Sequence, residues 1–202
     1  ALAVEFAKNG ANVAICARRK NDLAETESLI KANGGSVLAV PTDVTKVTQV
    51  ARLVRETLKA FGRIDVLFNN AASFHALGAV WEVDPKAWWA DVTTNDLGPF
   101  LCARAVLPHM MKRNEGVIIN MNGGGALTWL TGGSGYGCSK AFLLRFTETL
   151  AKELDKANSK VIVVAIGPGF VHTETTELQR VDPLGVKWIP SSKEALDAGK
   201  SR

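Results

Sequence analysis

Apolar residues recur along the chain in two alternating rhythms. The short continuous runs Asn12 to Ala17, Val37 to Val40, Ile64 to Phe68, Val117 to Met121 and Val161 to Ile166 read as strands buried on both faces. Between them apolar positions return every three or four residues, as on one face of an amphipathic helix. Leu2 to Phe6 is such a helix, ended by Gly10. Asn21 or Asp22 caps a second, which carries Leu23, Leu29 and Ile30 and closes at Gly34. Thr45 opens a third through Val47, Val50, Val54, Leu58 and Phe61, ending at Gly62. Asp84 and Pro85 form a cap with proline at the first helical position, from which one long helix runs towards Met111. A last helix covers about Gly135 to Leu154.

Fully apolar strands alternating with amphipathic helices predict an α/β fold: a doubly wound, Rossmann-like parallel sheet with right-handed crossovers. In such sheets ligands sit beyond the carboxyl ends of the strands, so the residues after Ala17, Val40, Phe68, Met121 and Ile166 are the ones to search. A dinucleotide-binding sheet begins with a strand and a glycine-rich turn, whereas this chain opens inside a helix and stops at Arg202 after a loop-like stretch. The first and closing strands are therefore expected to be missing, and residues 1–202 to be one domain of a longer polypeptide.

With 202 residues, 47% hydrophobic and 22% charged, the chain can bury a single sizeable core. No apolar run is long enough to span a bilayer and no leader opens the sequence, so no membrane association and a cytoplasmic location are expected. The net charge of +4 is interleaved along the helices, which speaks for solvated faces and against nucleic acid, and it fits a small phosphorylated ligand. Cys16, Cys102 and Cys138 are odd in number and scattered, so neither a disulfide framework nor a metal site is expected.

The chemistry centres on Tyr136 and Lys140, four residues apart and so on one face of the last helix. An ammonium beside a phenol favours the phenolate and lowers a pKa of roughly 10 towards the working pH, making tyrosine an acid or base. Taken alone, the pair is better read as an ordinary polar contact. Its context is more specific. Tyr136-Gly-Cys-Ser-Lys140, with Asn69-Asn-Ala-Ala72, Asn95-Asp-Leu-Gly98 and Pro168-Gly-Phe-Val-His-Thr173, resembles the short-chain dehydrogenase/reductase family in order, spacing and placement over nearly the whole chain.

That resemblance implies a catalytic set of Tyr136, Lys140 and Asn95: the tyrosine transfers a proton at the substrate oxygen, the lysine lowers its pKa and binds the nicotinamide ribose, and the asparagine holds a water that links the lysine to solvent. It implies that Asn70 and Ala71 lie along the cofactor, with Ala72 in place of the usual glycine. It also implies that Asp43 meets the adenine, and that Val171 and Thr173 reach the nicotinamide carboxamide; Thr173 could instead be a helix cap. Arg18 and Arg19 follow the second strand of the family pattern, where guanidinium groups suit a 2′-phosphate, so NADP is preferred over NAD. The family pairs its two long helices across a twofold axis, which implies a homodimer or homotetramer.

One position departs from the pattern. The family's serine, which hydrogen-bonds the substrate oxygen, falls on Gly123, so Asn122 or, with a larger rearrangement, Thr128 must replace it, or the site lacks that donor; in the last case Gly123→Ser should raise the rate. Of the histidines only His172 is placed to meet a substrate; Trp81, Trp88 and Trp89 read as packing or surface cover, and Trp129 as a liner of an apolar substrate pocket. The expectation is an enzyme, an NADP-dependent oxidoreductase interconverting an alcohol and a ketone or aldehyde. The alternative motivated by Gly123 is a non-catalytic dinucleotide-binding protein.

Overall fold

The computed structural model describes residues 1–189 other than 170 and 172, so His172 and the stretch from 190 to 202 lie outside the described residues. The elements are α1 (Leu2–Lys8), β1 (Val13–Ala17), α2 (Lys20–Ala32), β2 (Val37–Pro41), α3 (Val47–Phe61), β3 (Val66–Asn69), α4 (Pro85–Val92), α5 (Gly98–Arg113), β4 (Val117–Met121), α6 (Ser134–Lys156), β5 (Ile162–Ile166), α7 (Glu174–Val181) and α8 (Pro183–Trp188). The expected alternation is present, and two start signals differ. Helix α2 begins after Arg19, with Asp22 already in its first turn and ion-paired to Arg19 at 2.5 Å. Helix α3 begins after Lys46, because Thr45 is held in a turn by Asp43. At its other end Gly62 takes a left-handed conformation, φ 77°, and ends the helix as expected.

The long helix expected from Asp84 to Met111 is interrupted. Asp84 caps α4 through the Ala87 amide, but residues Thr93–Leu97 form one turn of π-helix before α5 resumes. Residue 99 is proline, so the N–H that would close an α-helical bond onto the Asn95 carbonyl does not exist, and the backbone widens there.

All strand pairs are parallel. Strands β1 and β2 form one ladder, β3, β4 and β5 another, and among the described residues no ladder joins β1 to β3. Ligands bind such sheets beyond the carboxyl ends of the strands, which here are Ala17, Pro41, Asn69, Met121 and Ile166. The main core lies where α3, α5 and α6 cover the second ladder, with Val54, Val106, Met110, Ile118, Leu150 and Val163 at its centre. No helix among the described residues is long and apolar enough to cross a membrane.

Candidate active site

The carboxyl end of β4 and the first turns of α6 meet unusually closely. Gly125, at φ 90°, lies so near Gly137 that a Cβ on it would be 2.5 Å from the Gly137 Cα, so no side chain fits at 125. This approach brings Tyr136 and Lys140 to the loop that follows β4. Lys140 is only 3% exposed; its ammonium donates to the Met121 carbonyl at 2.8 Å and stands 5.1 Å from the centre of the Tyr136 ring. Burial pushes its pKa down to about 8, against the opposing charge of Asp96. The phenol does not follow the expected direction. Burial raises its pKa, since loss of water disfavours the phenolate. Both partners are thus pushed towards their neutral forms.

Gly123 explains where the phenol points. A Cβ at this position would lie 2.7 Å from the Tyr136 hydroxyl oxygen, so that oxygen occupies the space in which a side chain would begin. Asn122 turns its carbonyl oxygen onto the Gly123 amide at 2.9 Å, and Thr128 is exposed. The expectation that serine at 123 would simply restore a donor does not fit this packing: the hydroxyl could enter only if the phenol moved.

Asn95 lies buried in the π-turn, and its side chain is bound at both ends to Ser73: the Ser73 amide donates to Oδ1 at 2.7 Å and Nδ2 donates to the Ser73 carbonyl at 2.8 Å. Behind it, Asn69 Nδ2 donates to Asn120 Oδ1 and Asn120 Nδ2 to Thr147 Oγ1, each at 2.8 Å, tying β3, β4 and α6 together within the interior. The apolar roof over Tyr136 is made by Phe74, Leu77, Leu130, Leu184, Trp188 and Ile189. It is latched at its rim, where the Glu82 carboxylate accepts from Lys187 and from the Trp188 indole, both at 2.7 Å.

A model of the short chain dehydrogenase family matches residues 1–183. The chain is 34% identical to a 3-oxoacyl-[acyl-carrier-protein] reductase of Synechocystis sp., over 96% of this chain and 77% of that protein. It is 39% identical to a short chain dehydrogenase of Monascus purpureus, over 98% and 73%. The chain belongs to the short-chain dehydrogenase/reductase family. Among solved structures, a family member from Burkholderia phymatum in complex with NAD superposes with a TM-score of 0.85 at 28% identity, covering 98% of this chain and 73% of that one. A metagenomic short-chain oxidoreductase in complex with NADP gives 0.77 at 30% identity, covering 84% and 76%. As a member of this family, the chain is an NAD(P)-dependent oxidoreductase.

Seen as a short-chain dehydrogenase, the chain has most of its motif residues just after the carboxyl ends of its strands. Arg18 is exposed after β1, and Asn70 and Ala71 form an exposed turn after β3. Asp43 follows β2; burial raises its pKa, but hydrogen bonds from Thr45 and the charges of Lys46 and Arg18 prevail and hold it low. Val171 is exposed, and the Thr173 hydroxyl accepts from the Thr176 amide as the cap of α7, which is the simpler of its two expected roles. Trp129 is 88% exposed, and the aromatic residues clustered with Tyr136 are Phe74 and Trp188. Neither was singled out in the sequence. Phe74 could have been, as the first large apolar residue after the Asn69 to Ala72 turn; Trp188 carries no local signal.

Proposed function

We propose that this enzyme interconverts an alcohol and a ketone or aldehyde using NADP, with Tyr136 as proton donor and acceptor, Lys140 as its charged partner and Asn95 as the residue that anchors the site. The observation that carries the reading is the convergence of the Tyr136 hydroxyl and the Lys140 ammonium on the loop after β4, beneath an apolar roof. The residues fit a dinucleotide by their chemistry: exposed Arg18 for a 2′-phosphate, Asp43 for the adenine, Asn70 and Ala71 along the dinucleotide, Lys140 for the ribose, and Val171 and Thr173 for the carboxamide. When bound, the nicotinamide supplies or takes up the hydride. The chain's own part in reduction is to hold the carbonyl oxygen at Tyr136 Oη, give it the phenolic proton, and keep the resulting phenolate beside the Lys140 ammonium. In oxidation the proton returns to the phenolate.

The apolar residues packed with Tyr136 favour an apolar carbonyl substrate. The test follows NADPH consumption across a panel of ketones and aldehydes. Turnover is expected with NADPH in preference to NADH, Tyr136→Phe should nearly abolish it while leaving NADPH affinity intact, and Arg18→Asp should remove the NADPH preference. NADPH binding without consumption of any carbonyl would overturn the catalytic reading.

A further inference from the structure

Ser73, His75 and Asp91 touch one another beside the site. Asp91 is 1% exposed, and its Oδ1 accepts a short hydrogen bond from the Ser73 hydroxyl. That hydroxyl also lies 2.9 Å from His75 Nδ1. The grouping looks like a nucleophilic triad and is not one. The histidine does not stand between serine and carboxylate; the serine stands between the other two, and the second carboxylate oxygen accepts from the His75 and Ala76 amides, both at 2.8 Å. An acid buried this deeply, with a hydroxyl and two amides on it, is a clamp on the backbone of residues 73–76.

What the clamp holds is Phe74. The amide and carbonyl of Ser73 are fixed by Asn95 on one side, and the amides of His75 and Ala76 by Asp91 on the other. Between these points the Phe74 ring, 4% exposed, lies on the Tyr136 ring with centroids 4.4 Å apart and planes 10° from parallel. Its far edge rests against Gly133, where a Cβ would be 2.6 Å from Phe74 Cζ. The Lys140 ammonium stands 5.1 Å from the centre of the phenol ring, and Gly123 lies at its hydroxyl end.

We propose that Asp91 is a positioning residue for Tyr136: by clamping the loop from Ser73 to Ala76 it presses Phe74 flat onto the phenol, fixing the ring plane and keeping water from that face. The role in turnover rests on the function proposed above, while the clamp itself does not. A ring held in this way directs Oη at Gly123, and its dry face is consistent with the raised pKa of the phenol.

Tyr136 is the chain's only tyrosine, so phenolate absorbance read in rapid pH jumps follows it without turnover and without overlap from other phenols. Phe74→Ala should lower the midpoint by roughly one pH unit as water reaches the ring. Asp91→Asn should lower it in the same direction by less, and the double variant should go no further than Phe74→Ala alone, since Asp91 acts only through that ring. In the carbonyl assay Phe74→Leu should reduce kcat on the order of 10-fold with KM for NADPH unchanged, the signature of a misplaced acid. A midpoint unmoved by Asp91→Asn, or a double variant whose shift is the sum of the two singles, overturns the proposal. Should Asp91→Asn fail to fold, Ser73→Ala removes one member of the clamp and enters the same comparison. A parent enzyme that reduces no carbonyl sinks the proposed function, and the titration still decides the clamp.

Discussion

Gly123 and Tyr136 have to be considered together. A side chain at 123 would begin 2.7 Å from the phenol oxygen, and the phenol is backed by the Phe74 ring, so it can move aside only by breaking that stack. Gly123→Ala should therefore slow turnover, and Gly123→Ser should also slow it, though less, because its hydroxyl adds a donor. Comparing kcat for the two variants tests this; a serine variant faster than the parent would show that the phenol yields freely and that a donor was lacking. Lys140 sets the pH response. Its ammonium titrates at about 8 instead of the usual 10.5, because burial disfavours the charged form, so the charge is present below about 8 and lost as pH rises through that value. In the reducing direction kcat/KM should fall across the same range. A profile that stays flat well above it would remove Lys140 from the role of charged partner.

Among the elements, the π-turn between α4 and α5 and the asparagine chain behind it do most to hold the site in place. The turn exists because Pro99 has no N–H for the Asn95 carbonyl, and it sets Asn95 facing Ser73. Asn120 is wholly buried and is the only link between Asn69 of β3 and Thr147 of α6 in that chain of side chains. Removing it leaves an unpaired donor on Asn69 in the interior, so Asn120→Ala should cost about 2 kcal/mol or more in urea unfolding. An unfolding midpoint equal to the parent's would mean that water or a rotated side chain takes over the bonds.

For the whole molecule, the question is what covers the outer faces of α5 and α6. Phe100, Phe146 and Phe142 form a continuous aromatic row there, with centroid distances of 6.2 and 6.0 Å, and Phe142 remains 41% exposed. Such a row is costly to leave in water and suits self-association about a twofold axis. Sedimentation at micromolar concentration is expected to give a homodimer or homotetramer, and Phe142→Arg to shift it towards the monomer. A monomeric parent would count against the proposal.

The alternation of elements, the parallel sheet and the positions of Tyr136, Lys140 and Asn95 were legible from the sequence, because they depend on local periodicity and on motifs whose residues lie on one helix or one turn. The break in the long helix could also have been read from Pro99, whose missing N–H is a property of the residue itself. The rest arises from contacts between segments distant in the chain. Asp91 clamps a loop fifteen or more positions before it, Phe74 reaches its partner across more than sixty residues, and Trp188 joins the roof from more than fifty residues beyond the phenol. No local rule relates such positions, and the same holds for the direction of the Tyr136 pKa: the sequence places an ammonium near the phenol, but only the packed fold decides how much water is left around it, and here the loss of water raises the value.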